Sequence, residues 1–315
     1  MDGISRRGLV GGLLGGVASV GLGGLVTGAE ASKRKGTIRV AHMTDFHVQP
    51  ELNAPKGMAM ALDHAHALKP DLILGGGDLI MDGFAQDEAR TALQWKLFQK
   101  IAKAHIHVPV HYAIGNHDVW GWNKKDSHTT GSEAEWDKKW FLDALGYQNT
   151  YYSFDHGAWH FVVLDNILLT PDGYNGMLGD AQREWLDADL AATKKPTVLL
   201  THIPMLSVTT LANSYSTQSG EWNVGGDSMT KDLDDLFKLF AKHRHVKLAL
   251  SGHEHMIDRV DFKGVTYLCS GAVCGSWWNG PNDGFDPGYR LLDLHEDGTF
   301  EEKMLFWGWD KSFLA

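Results

Sequence analysis

The sequence predicts an α/β fold: a mostly parallel half followed by an antiparallel half, packed as one domain. Three observations carry that prediction. From residue 37 onward, short apolar runs alternate with segments whose apolar residues recur at spacings of three and four. Hydrophobic residues make up 43% of the chain and charged ones 22%, the proportions of a folded globular protein rather than a disordered one. The tail beyond residue 256 changes character, becoming a run of strands with glycine turns and no helical pattern. A length of 315 residues exceeds an average domain but stays within the range of one α/β domain, and no linker-like stretch divides it.

The elements follow in order. Apolar, turn-bounded runs predict strands over Thr37 to Met43, Asp71 to Leu74, Val108 to Ile114, Thr197 to Leu200 and Lys247 to Leu250. Helical spacing predicts helices over Pro55 to Leu68, Asp87 to Ala104, Ser132 to Leu145, Asp180 to Ala192 and Met229 to His243. Thr150 to Phe154 and Trp159 to Leu164 read as two strands joined through Asp155-His156-Gly157. The tail strands are Ile257 to Phe262, Val265 to Ser270, Tyr289 to His295 and Thr299 to Phe306.

Residues 1–31 read as a targeting segment. Arg6-Arg7 precedes an uncharged, glycine-rich run to Ala29, and Ala29-Glu30-Ala31 has the small-x-small form of a cleavage site. The segment is similar to a twin-arginine export signal, so the expected working protein is residues 32–315, exported to a periplasm or beyond. Its glycines argue against a retained membrane anchor, and no later stretch reaches eighteen uninterrupted apolar residues. Removing it takes away two charges of each sign, so the mature chain keeps the net charge of -10. That acidity excludes general nucleic-acid binding, which needs clustered Lys and Arg. Two cysteines, Cys269 and Cys274, are too few for a disulfide framework, and the sequence leaves open whether they pair.

The ends of the five early strands carry the chemistry. Asp45-Phe46-His47 follows the first and Gly77-Asp78 the second. Gly115-Asn116-His117-Asp118 follows the third, His202 the fourth, and Gly252-His253-Glu254-His255 the fifth. Ligands of open α/β sheets bind beyond the carboxyl ends of strands, so these groups are expected to meet in one crevice. The pairs Asp45/His47 and His253/His255 would each project to one side if the backbone stays extended. Carboxylate, amide and imidazole donors suit divalent or trivalent Mn, Fe or Zn, with Asp78 able to share its oxygens between two ions. Two carboxylates cannot neutralise two such cations, and the surplus charge would attract phosphate in an otherwise acidic protein.

In order and type, these five blocks resemble the calcineurin-like metallophosphoesterases, and within them the cyclic-nucleotide phosphodiesterase group. The resemblance covers residues 45 to 255. It implies a four-layer αββα sandwich of the metallo-dependent phosphatase type, with a dinuclear site on its edge. Asp45, His47 and His255 would hold one metal, Asn116, His202 and His253 the other, and Asp78 would bridge them. His117 would face the substrate, with Asp118 orienting it. Met81 stands where purple acid phosphatases carry a tyrosine, and the chain is too short for the second domain of secreted 5'-nucleotidases. Two-metal chemistry then implies in-line attack on phosphorus by a metal-bound hydroxide, with His117 assisting the leaving oxygen. The expected substrate is a small-molecule or lipid-derived phosphodiester. A phosphomonoester, or a non-catalytic binding scaffold of the same fold, are the alternatives. Trp120, Trp122, Trp277 and Trp278 are candidates for an apolar rim around the substrate, against the plain alternative of packing. The sequence does not specify an oligomeric state.

Overall fold

In the computed structural model, which describes residues 36–171 and 173–314, two mixed sheets face each other across an apolar core. The export-signal segment 1–31 lies outside the described residues. The first sheet holds β1 (Thr37–Met43), β2 (Leu72–Gly75) and β3 (Val110–Tyr112) in parallel. The second holds β5 (Trp159–Val163), β8 (Thr197–Leu200) and β11 (Val246–Ser251), also parallel, with β4 (Tyr152–His156) antiparallel at its edge. Helices α1 (Ala54–Ala67) and α2 (Glu88–His105) cover the first sheet, and α5 (Asp180–Ala192) and α7 (Leu233–Lys242) the second. Short pieces fill the connections: α3 (Lys124–Ser127), α4 (Lys139–Leu145), the hairpin β6 (Ile167–Thr170) and β7 (Gly173–Gly176), α6 (Val208–Asn213), and the ribbon β9 (Tyr215–Ser216) and β10 (Glu221–Trp222).

The strands are apolar on both faces because both faces are buried. Ile38 and Val40 of β1, with Leu72 and Leu74 of β2, enter the core between the sheets, where they meet Phe161, Val198 and Leu250 of the second sheet. The intervening Ala41, Met43 and Ile73 face outward onto Met58 and Leu62 of α1 and Trp95 and Phe98 of α2. Val162, Leu199 and Ala249 do the same against Leu186 and Leu190 of α5 and Leu236, Leu239 and Phe240 of α7. The helical spacing in the sequence thus marks the buried stripes, and the layers stack as the expected αββα sandwich.

The tail departs from the expectation of an antiparallel half following a parallel one. Its first two strands, β12 (Ile257–Phe262) and β13 (Val265–Ser270), extend the second sheet, with β13 parallel to β11. Its last two, β14 (Gly288–His295) and β15 (Phe300–Phe306), cross over and extend the first sheet through β14 against β1. Each sheet gains a pair of strands, so the tail ties the two layers together. The helix expected over Ser132 to Leu145 forms only in its second half. Glu133 draws the chain into a turn by accepting the Thr130 and Gly131 amides, and Asp137 adopts φ 72° while pairing with Trp120. The helix expected from Met229 starts at Leu233, because the Thr230 amide binds Pro204 and the Asp232 carboxylate holds the Leu178 amide and Arg183.

Trp159 sits fully buried between the sheets and donates its indole N–H to the His295 carbonyl at 2.8 Å, linking β5 to the end of β14. Trp159→Ala is expected to cost about 3–5 kcal/mol in urea unfolding at unchanged m-value. A loss below about 1 kcal/mol would contradict this account of the inter-sheet core.

Candidate metal centre

The carboxyl ends of β1, β2, β3, β8 and β11 meet at one edge of the sandwich. The loops after β1 and β2 are laced together, with Asp45 N–H donating to Gly77 O at 3.0 Å and His47 N–H to Asp78 O at 2.9 Å. His202 reaches across from the second sheet, its Nδ1 lying 2.8 Å from Gly76 O. The backbone here is not extended. Asp45, His47, Asp78, His253 and His255 all take positive φ, between 40° and 71°, a region that non-glycine residues rarely enter. The i, i+2 pairs therefore converge through tight left-handed turns rather than through strand alternation. Gly115 keeps an extended φ of -102°, so its role is clearance rather than turning. A Cβ there would lie 2.1 Å from Asp78 Oδ1 and 2.3 Å from the Asp78 amide nitrogen, and one at Gly252 would lie 2.2 Å from Asp45 Oδ2.

Two groups of donors result. In the first, His47 Nε2 and His255 Nε2 stand 3.1 Å apart, and Asp45 Oδ1 lies 3.4 Å from His255 Nε2 and 3.9 Å from His47 Nε2. In the second, His202 Nε2 lies 3.0 Å from Asn116 Oδ1 and 3.2 Å from His253 Nδ1. Asp78 Oδ2 faces both groups, 3.4 Å from His47 Nε2 and 3.1 Å from His202 Nε2. Its other oxygen accepts the His117 amide at 2.9 Å, so the sharing falls to Oδ2 alone. All seven residues expected as ligands thus come together.

The hydrogen bonds on the far side of the rings fix what these atoms offer. A carbonyl oxygen can only accept, so His47 Nδ1 against Met81 O (3.3 Å), His202 Nδ1 against Gly76 O and His255 Nδ1 against Gly275 O (2.5 Å) are the protonated nitrogens. The Nε2 lone pairs consequently point at one another and at the oxygens of Asp78, Asn116 and Asp45. Atoms converging in this way hold either protons or a cation between them, and the carboxylate, amide and imidazole set fits the metals expected. Cys274 also lies within reach of His47 and His255, a neighbour that a thiol-free ligand reading missed. Its Sγ, however, lies 3.9 Å from the Nδ1 of His255, the ring face already bound to Gly275 O. Both cysteines are free thiols.

Electrostatics follow the same crowding. Burial pushes the Asp78 carboxyl pKa up, but the charges on His202 and His117 reverse this and hold it well below the usual range. Burial lowers His47 and His253 to about 3. His202 goes the other way, to about 9, because Asp78 outweighs the burial that would lower it.

His117 is 28% exposed, edge-on to His47 at 4.8 Å between ring centroids, and opens onto a cavity of about 460 Å³ lined by Gln49, Met81, Asp82 and Gln86. The expectation that Asp118 orients it is overturned. Asp118 is fully buried, and its carboxylate accepts the backbone amides of Leu79, Ile80 and Gly115. It pins the Asp78 loop to the Asn116 loop and does not reach the His117 ring. The carboxylate beside that ring belongs to Asp82, whose Oδ1 lies 3.3 Å from His117 Nδ1. Sequence reading missed Asp82, since a carboxylate four residues beyond Asp78 has no fixed geometry to it until the loop is folded. Burial alone would lower the His117 pKa; Asp78 and then Asp82 raise it above the ordinary value.

The tryptophans divide. Trp120 and Trp278 are buried and structural, their indole N–H groups donating to Gln86 O and His47 O. Trp277 is 38% exposed and its ring lies 4.6 Å from that of His255, at the rim of the site. Trp122 is half-buried and stacked 4.8 Å from Trp136, in a groove farther along.

The calcineurin-like phosphoesterase family model matches residues 38–256. The chain belongs to this family. Among curated proteins it is 27% identical to a 3',5'-cyclic-nucleotide phosphodiesterase of Nostoc, with 85% of this chain and 91% of that protein covered. It is also 27% identical to the 3',5'-cyclic adenosine monophosphate phosphodiesterase CpdA of Escherichia coli, over 83% and 87%. Among solved structures, a dimetal phosphatase from Danio rerio superposes with a TM-score of 0.55 at 14% identity, covering 87% of this chain and all of that one. A purple acid phosphatase from yellow lupin gives 0.53 at 16%, over 88% of this chain and 55% of its own. These structures share the fold. Among the described residues no helix is long and apolar enough to cross a membrane.

Because ligation needs an unprotonated His202 Nε2 and the metal-free ring holds its proton up to about pH 9, metal binding must displace that proton. The apparent affinity for Mn²⁺ is expected to rise with pH through the 6.5 to 9 range, by about tenfold per unit for this one group. Titration calorimetry in two buffers of different ionisation enthalpy checks it. A pH-independent affinity with no proton release would contradict the assignment.

Proposed function

We propose that this chain is a dinuclear-metal phosphoester hydrolase that prefers phosphodiesters. The observation that carries the reading is the convergence of the Nε2 atoms of His47, His202 and His255 and the Nδ1 of His253 on the oxygens of Asp45, Asp78 and Asn116, each 3.0–3.4 Å from its nearest neighbours. Asp45, His47 and His255 would hold one ion, Asn116, His202 and His253 the other, and Asp78 Oδ2 would serve both. Once bound, the ions would draw charge from the phosphoryl oxygens and make a water acidic enough to ionise near neutrality. The protein contributes the rest. His117, whose raised pKa favours the imidazolium, stands at the open side of the cluster, placed to give a proton to the leaving oxygen. Asp82 steadies that ring, and Asp118 keeps the loops carrying Asp78 and Asn116 in register. The preference for diesters is supported by the cyclic-nucleotide phosphodiesterases among its relatives. Residues 1–31 would direct export through a twin-arginine route, with 32–315 as the working domain. Folding before export would allow Mn or Fe to be loaded inside the cell.

Purified protein reconstituted with Mn²⁺ or Fe²⁺ is expected to hydrolyse a generic aryl phosphodiester faster than the matching monoester. His117→Ala should keep both ions by metal analysis while kcat falls by about 10²–10⁴. Asn116→Ala should lose one ion together with activity. Two bound ions with no turnover of either ester would favour the scaffold alternative, and full activity in the His117 variant would remove it from the mechanism.

A further inference from the structure

Farther along from the cluster lies a cavity of about 520 Å³ that the chemistry above does not use. Phe84, Trp122, Lys124, Trp136 and Pro171 line it. It joins the site in two ways. Along the backbone, Gly83 N–H donates to His117 O at 2.7 Å, Gly121 N–H to Gly83 O at 3.0 Å and Asn123 N–H to Phe84 O at 3.0 Å, so one wall is built on the strand of chain that carries His117. Through side chains, the Tyr174 ring on β7 lies 6.3 Å from that of His253 and 6.0 Å from that of Phe84. The far wall is held by the β6–β7 hairpin, whose Thr170 carbonyl accepts the Trp122 indole N–H at 2.8 Å.

The lining has a definite chemistry. Trp122 and Trp136 are stacked at 4.8 Å with 21° between their planes, and Lys124 Nζ lies 5.0 Å over the Trp136 ring. Among the described residues Lys124 makes no ion pair, in a chain whose net charge is -10. Aromatic surface with an exposed ammonium held over one ring, free of a carboxylate partner, favours a flat ring that carries an acceptor or anionic group. We propose that this groove is the subsite for the organic group of the substrate, and that it selects phosphodiesters bearing an aromatic ring with an anionic edge substituent. The stacked Trp122–Trp136 pair supplies the aromatic wall, Lys124 reads the substituent, and Tyr174 stands at the junction with the metal cluster. This rests on the phosphodiesterase reading and deepens it.

The test uses the full metal-reconstituted protein and three methyl phosphodiesters whose second group is ethyl, phenyl or 4-carboxyphenyl. Each variant is compared with wild type on the same ester, so the intrinsic reactivity of the leaving group cancels. Trp136→Leu is expected to lower the phenyl-to-ethyl ratio of kcat/KM by about tenfold, mainly through KM. Lys124→Met, at an exposed position, is expected to lower the carboxyphenyl-to-phenyl ratio by about three- to tenfold. Equal losses on all three esters, or unchanged ratios in both variants, would overturn the proposal. If wild type turns over none of the esters, the phosphodiesterase reading fails on its own, and binding decides the subsite. Titration with methyl (4-carboxybenzyl)phosphonate, whose P–CH2 bond replaces the scissile P–O–aryl bond, should then quench tryptophan fluorescence, with weaker binding in Lys124→Met. Absence of quenching, or equal affinity in the variant, would overturn the subsite.

Discussion

As neutral rings, two imidazole nitrogens 3.1 Å apart, each with its proton committed to a carbonyl on the other side of the ring, cannot bond to each other. His47 and His255 are held in this opposition by chain segments from different sheets. His202 stands likewise before oxygens of Asp78 and Asn116. Without a cation, burial lowers all three rings, but Asp78 outweighs it at His202, and Cys274 and Asp45 at His255, so these two are driven above the ordinary histidine range while His47 is driven down. Burial of these groups is costly unless the charge is balanced, so the edge of the sandwich is built around positive charge that the acidic chain does not itself provide.

The backbone shows the same commitment. Five of the seven proposed ligands occupy left-handed conformations, each costing on the order of 1–3 kcal/mol. They persist because the surrounding loops over-determine them. Asp118 binds three amides across two loops, Asp45 accepts the Thr44 hydroxyl and the His253 amide, and Asp45 and His47 are tied to the loop after β2. The two sheets give this arrangement rigidity, since β12–β13 and β14–β15 extend different layers from one stretch of tail.

Much of this was legible in the sequence, because strand ends and ligand types are local properties. The five blocks could be placed after five apolar runs, and the helical stripes marked the covering layers. What was not legible depended on how loops pack. Asp118 adjoins His117 in sequence, yet its carboxylate turns inward to amides, and Asp82 takes the place beside the ring through a fold of the loop that no spacing rule encodes. Trp120 and Trp122 look alike, but only the second lines an open groove, and the same holds for Trp278 and Trp277 at the rim. The hairpin carrying Tyr174 escaped notice because Gly173–Gly176 is too short and too polar to read as a strand. The tail's division between both sheets is a matter of pairing partners rather than of local pattern.

The most direct measurement is anomalous diffraction from crystals of the protein grown with manganese. The account predicts two peaks about 3.5–4 Å apart, one among Asp45, His47 and His255, the other among Asn116, His202 and His253, with Asp78 Oδ2 in contact with both. A single ion, an ion held by Cys274 in place of Asp78, or no ion at saturating manganese would contradict it.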